Sequence, residues 1–99
     1  MKDISELLKK AQILQGELAE ALKKIKIEAT AGGGMVKVVA DGEQNILEIK
    51  IDPEVVSKDD IPMLEDLILA AVNEAKRKAA EAAKQEIQKI AGFPLPGML

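Results

Sequence analysis

The 99-residue sequence has no cysteine, no histidine, no tryptophan and no tyrosine, and its one aromatic residue is Phe93. Without Cys and His, the usual zinc and haem ligand sets are missing, along with thiol and imidazole chemistry, so neither a metal nor a cofactor is expected. The lack of disulfides fits a reducing compartment. No apolar run approaches the roughly 20 residues of a membrane span, and Met1-Lys2-Asp3 does not open a secretory signal. A cytoplasmic protein with no membrane partner is therefore expected. The hydroxyl nucleophiles Ser5, Thr30 and Ser57 have no imidazole to activate them. No catalytic residue is assigned, and neither enzymatic activity nor a small-molecule substrate is expected. Basic charge is also short: 14 Lys and Arg face 17 Asp and Glu, a net charge of −3. That is the wrong sign for a typical nucleic-acid binder.

The distribution of charge qualifies that exclusion. Residues 1–27 carry six lysines against four acids, residues 28–70 three against ten, and residues 71–99 four lysines and Arg77 against three glutamates. The ends are each +2 and the middle is −7. Local potential governs encounter with a polyanion, so the question becomes which surface carries the two basic segments.

At 10.6 kDa the chain reads as one domain, with 1–92 as an α+β unit and 93–99 as a proline-containing apolar tail. Residues 4–25 have helical periodicity: Ile4, Ala11, Leu18 and Ile25 recur every seven residues, as do Leu7, Leu14 and Ala21. Together with Leu8 and Leu22 these positions fill a sector of about 140°. Gly16 costs that helix about 1 kcal/mol relative to Ala unless a close neighbour needs the space. Residues 27–51 switch to period two. Gly32-Gly33-Gly34 turns one hairpin, and Asp41-Gly42, lengthened by Glu43-Gln44-Asn45, turns the next. In the last strand Leu47, Ile49 and Ile51 are expected to face inward, with Glu48 and Lys50 outward. Asp52-Pro53 ends it. A second helix is expected from Asp59 or Asp60, either serving as N-cap, through Ala91 to a stop at Gly92. Its buried stripe is Leu64, Leu67, Ile68, Ala71, Ala75, Ala79, Ala82 and Ile90. The order is α-β-β-β-α, a three-stranded antiparallel meander between two long helices.

Length adds a constraint. About 32 helical residues span about 48 Å, whereas a compact globule of this size is roughly 35 Å across. The second helix must project or be covered by another chain. With two thin apolar-faced layers, that points to a homodimer.

Two readings fit the second helix's cations. Lys76, Arg77 and Lys84 fall within about 100° of one another, away from the apolar stripe, with Ala80 between them and Lys78 and Lys89 nearby. Phosphates need cations with little steric cover, which this face offers. It is also an ordinary solvated face with Glu74, Glu81 and Glu86, and on composition alone that is the more economical reading. Helix 1 poses the same choice at Lys2, Lys9, Lys10, Lys23 and Lys24. Other constellations fail. Ala31-Gly32-Gly33-Gly34 precedes a strand and lacks a following Lys-Ser/Thr, so it is a hairpin and no phosphate loop. Asp52, Glu54, Asp59 and Asp60 lack the alternation of a calcium loop. The tail either folds back or serves as a docking peptide.

Leu8-Lys9-Lys10-Ala11-Gln12, Ala31-Gly32-Gly33-Gly34-Met35-Val36-Lys37-Val38, Ile51-Asp52-Pro53, the run Met63-Leu64-Glu65-Asp66-Leu67 continuing to Ala75, and Leu95-Pro96-Gly97-Met98 occur in this order. Together they resemble the YbaB/EbfC family of bacterial nucleoid-associated proteins over nearly the whole chain. The resemblance implies a tweezer-like homodimer in the cytoplasmic nucleoid that binds duplex DNA, alters its conformation and acts in gene regulation. It places DNA-binding residues at Lys76, Arg77, Lys78 and Lys84, with Lys9, Lys10, Lys23 and Lys24 as a second group. The alternative is a helical protein–protein interaction module without intrinsic DNA affinity, motivated by the Ala-rich half of helix 2 and the apolar tail.

Overall fold

A computed structural model describes residues 2–92, and the tail 93–99 lies outside the described residues. Helix α1 (Lys2–Lys24) follows from the seven-residue apolar recurrence. It ends where the Leu22 carbonyl accepts two hydrogen bonds, from the Ile25 amide at 3.2 Å and the Gly42 amide at 2.9 Å. The second bond satisfies a helix-terminal carbonyl from outside the helix and ties α1 to the sheet.

Strands β1 (Lys26–Ala31), β2 (Val36–Asp41) and β3 (Ile46–Ile51) form the antiparallel meander in the order β1-β2-β3. The β1–β2 turn takes three consecutive left-handed residues, Gly32, Gly33 and Gly34 at φ 63°, 67° and 94°, a run that only glycine adopts cheaply. In the β2–β3 loop the Asp41 carboxylate accepts from the Glu43 and Asn45 amides at 2.9 and 3.0 Å and from Asn45 Nδ2 at 3.1 Å. The left-handed residue of this loop is Gln44 (φ 66°), so the Asp-Gly pair does not serve the usual hairpin geometry.

β3 corrects one expectation. A bulge between Val39 and Ala40 pairs Ala40 with Ile46, while Val38 pairs with Ile49 and Val36 with Ile51. The bulge shifts the inward phase by one residue at the start of the strand. Ile46 packs against the core, and Leu47 is 47% exposed beside Lys37 and Val39. Ile49 and Ile51 do share the inward face with Val38 and Val36, yet they remain 44% and 37% exposed.

A 3-10 turn, Pro53–Val55, capped by the Asp52 carboxylate on the Glu54 amide (2.9 Å), leads to α2 (Ile61–Ala91). Asp60 occupies the N-cap position, but its side chain makes no capping hydrogen bond, contrary to expectation. The Ser57 hydroxyl instead accepts from the Asp59 amide at 3.2 Å, organising the preceding turn. Pro62 sits in the first turn, and Gly92 closes the helix in the left-handed conformation with its amide on the Gln88 carbonyl.

The core lies where α2 crosses β1 and β2. Ala71, Ala75 and Ala79, one helical turn apart, are fully buried against Ala29, Val36, Val38 and Ala40. The small alanines allow close approach to the sheet, while Leu64, Leu67 and Ile68 are only half-buried. Among the described residues the largest fully buried side chains are two valines, Val36 and Val38. The molecule measures 67 × 23 × 17 Å, with a radius of gyration of 18.5 Å. A compact chain of this length would have a radius of about 13 Å. Within one chain the helices therefore extend beyond the sheet, and for α2 this is one of the two outcomes its length allows.

Candidate nucleic-acid interface

Burial of Ala71, Ala75 and Ala79 fixes the rotation of α2 and so decides where its cations point. Lys76 and Arg77 are exposed and Lys84 half-exposed, with exposed Ala80 between them. Neither Lys76 nor Lys84 forms an ion pair with another described residue.

Arg77 and Lys78 are placed differently. The Arg77 guanidinium grips the Glu74 carboxylate through two hydrogen bonds, Nε to Oε2 at 3.0 Å and Nη2 to Oε1. These bonds hold the Glu74 carboxyl below its ordinary range, and the same bonds raise Arg77. Arg77 therefore stays charged but must release Glu74 before both edges of its fork can meet a phosphate. The i,i+3 spacing in the sequence is the signal for this pair. Lys78 points to the other side of the helix, where its Nζ donates to the Glu28 carbonyl of β1 at 3.3 Å. It is not part of the face shared by Lys76, Arg77 and Lys84.

On α1, Lys9, Lys10, Lys23 and Lys24 are all exposed. Lys24 borders a hollow that also holds Glu17, Glu20 and Glu86, which offsets its potential. Lys23 lies close enough to Asp41 to help hold that carboxyl below its ordinary range, behind the Asn45 side-chain and loop-amide hydrogen bonds. The two helices meet where Ala11, Leu14 and Leu18 of α1 border Ile87 and Ile90 of α2. Along α1, Lys9 and Lys10 stand about 20 Å of helix from Lys23 and Lys24. Among the described residues no group of Asp and Glu could hold a metal ion, and no helix is long and apolar enough to cross a membrane.

An α-β-β-β-α chain with cations on the open side of a projecting helix defines a small α+β protein. The chain belongs to the YbaB/EbfC DNA-binding family, whose model matches residues 1–93. It is 48% identical over 100 residues to nucleoid-associated protein TTE0040 of Caldanaerobacter subterraneus subsp. tengcongensis, covering 97% of this chain and 90% of the relative. A nucleoid-associated protein of Acetivibrio thermocellus is 55% identical over 93 residues, covering 91% of this chain and 82% of that one. In three dimensions the chain resembles the crystal structure of the uncharacterized protein HP0035 from Helicobacter pylori, with a TM-score of 0.79 at 22% identity, covering 93% and 97% of the two chains. That likeness shows a shared fold.

Proposed function

We propose that the protein acts in the nucleoid as a homodimer that binds duplex DNA through phosphate contacts from its basic helix faces, altering DNA conformation and gene expression. The observation that carries the reading is the face of exposed Lys76 and Arg77 and half-exposed Lys84 on the side of α2 turned from the core. Family membership supports DNA as the partner, and the relatives named nucleoid-associated proteins support the location. Lys9, Lys10, Lys23 and Lys24 form the secondary group, and Lys78 contributes from the β1 side. No aromatic among the described residues can stack on a base, so phosphate contact dominates and sequence preference is weak.

A second copy is supported by the bare end of the sheet. α2 covers β1 and β2, while Ile49 and Ile51 are left exposed beside a core that fully buries nothing larger than valine. Covering those side chains with a second protomer supplies apolar burial that one chain lacks. In this reading Ile49→Glu shifts the protein toward monomer in sedimentation velocity, whereas a monomeric wild-type protein at micromolar concentration refutes the dimer.

Binding should fall steeply with salt, log K decreasing by about 0.9 per phosphate neutralised. Changing Lys76, Arg77 and Lys84 together to Ala flattens that slope by roughly two to three units. A folded triple variant with the wild-type slope and affinity removes this face from the interface. The rival reading is a helical interaction module with no affinity for DNA, motivated by exposed Ile4, Leu7 and Leu8 on α1. Salt-sensitive retention of the purified protein on DNA excludes that rival.

A further inference from the structure

The apolar stripe of α1 is covered along only part of its length. Leu18 is half-buried, and Ala11, Leu14 and Leu18 border Ile87 and Ile90 of α2. Glu17, Glu20, Ala21 and Lys24 border Glu86 instead, so the two helices run antiparallel where they meet. Past the end of α2 the same stripe continues toward the start of α1 through Leu7 and Ile4, flanked by Leu8. Those three residues are 65%, 57% and 60% exposed. Cover for the stripe thus thins from half-buried Leu18 to Leu14, which is 48% exposed, and ends with α2 at Gly92, two residues beyond Ile90.

The next residues in the chain are Phe93-Pro94-Leu95-Pro96-Gly97-Met98-Leu99, four large apolar side chains and no charged one. We propose that this segment docks on the Ile4, Leu7 and Leu8 surface of α1 in its own chain, continuing the cover that α2 begins. Reach permits it: seven residues in extended, proline-favoured backbone span about 22 Å, while the stretch of α1 from Ala11 to Lys2 is about 14 Å long. Direction permits it too, because the last turn of α2 lies beside Ala11 and Leu14, and the uncovered stripe continues beyond it. Tethering decides between occupants. A segment rooted next to the stripe acts at roughly millimolar effective concentration, well above that of a free second copy. The second copy assigned to the bare sheet end meets Ile49 and Ile51, a different surface.

The cysteine-free sequence gives a clean test. In the full chain, Leu7→Cys with Leu95→Cys should close an intrachain disulfide at least about tenfold faster than Lys9→Cys with Leu95→Cys, whose helical position faces away from the stripe. Separately, a chain ended after Gly92 should exchange the amides of residues 3–13 about tenfold faster than the full chain. Equal closure rates for the two cysteine pairs, disulfides only between copies, or unchanged exchange on truncation each overturn docking within the chain.

Discussion

Adding one methyl group at Gly42 should cost this fold much of its margin. A Cβ there would stand 2.7 Å from the Leu22 carbonyl oxygen and 3.1 Å from both Leu22 Cα and Ile25 Cδ1. The Ile25 side chain can turn away, but the Leu22 atoms belong to the last turn of α1 and cannot. Ordinary contact begins near 3.4 Å, so the loop must retreat. A retreat of about 0.7 Å stretches the Gly42 amide bond to Leu22 beyond hydrogen-bonding distance. Losing that bond costs about 1 kcal/mol, and crowding adds roughly 1–3 kcal/mol. Restricting the unfolded chain returns about 0.4–1 kcal/mol, since the Gly42 φ is not left-handed. The net destabilisation is about 1–3.5 kcal/mol. At roughly 4–8 °C per kcal/mol for a domain of this size, the melting temperature should fall by at least about 4 °C and by up to about 25 °C. Thermal unfolding followed by circular dichroism at fixed protomer concentration measures it, the fixed concentration being needed for any self-associating chain. Gly16→Ala is the internal control: no atom lies within 4 Å of its Cβ, so it should stabilise the exposed helix by about 1 kcal/mol. Gly42→Ala melting at or above the wild-type temperature refutes the close approach, and with it the tether that sets the direction of α1 and its Lys23 and Lys24.

Ile46→Ala should destabilise by about 1–2 kcal/mol and Leu47→Ala by no more than about 0.5 kcal/mol in urea unfolding, because the bulge turns Ile46 toward the core. The Asp41 carboxyl is lowered from an ordinary value of 3.8, chiefly by the Asn45 side chain, so its contribution to stability is present above that value and lost as pH falls through the lower folded value. Asp41→Asn should remove part of the acid sensitivity below about pH 4 in a pH series of unfolding curves. Glu74→Gln frees the Arg77 fork and should tighten DNA binding in fluorescence anisotropy, while unchanged affinity removes Arg77 from the contact. Lys78→Ala should weaken binding less than Lys76→Ala, since Lys78 is engaged by the Glu28 carbonyl.

Element order and boundaries were legible because local chemistry determines them. The seven-residue recurrence of α1, three glycines in a row before β2, Asp52-Pro53 after β3 and Gly92 after α2 each act within a few residues of where they stand. What was not legible depends on contacts between distant parts of the chain. Alternation alone puts Leu47 inward, because nothing in Ile46-Leu47-Glu48 announces that Leu47 is the extra residue of a bulge, unpaired opposite Val39 and Ala40 of β2. Asp41-Gly42 was identified as a turn, but the need for glycine comes from the Leu22 carbonyl some twenty residues earlier. For the candidate interface, the helical wheel groups Lys76, Arg77 and Lys84 on one face as the structure does, but the sequence reading counts Lys78 in the same cluster. It gave no sign that Lys78 donates to β1, and the i,i+3 pair of Glu74 with Arg77 was present in the sequence but passed for solvating charge.

A net charge of −3 argues against a DNA partner only if the acids act on the same field as the exposed cations. Several are spent locally: Glu28 pairs with Lys37, Glu48 with Lys50, Asp41 closes its loop and Asp52 caps the 3-10 turn. Asp59, Asp60, Glu65 and Asp66 cluster around the start of α2. The nearest of them, Asp66, precedes Lys76 by about 15 Å of helix. With a screening length of about 8 Å at physiological salt, that cluster is largely hidden from a phosphate at Lys76 or Lys84. Along α2, Glu74, Glu81 and Glu86 remain within range, against Lys76, Arg77, Lys78 and Lys84, and the balance on that stretch is still positive. At about 0.01 M salt the screening length grows to about 30 Å and the acidic end of α2 enters the field. The plot of log K against log salt should therefore bend below its high-salt line as salt is lowered, and neutralising Glu65 and Asp66 to Gln and Asn should straighten it.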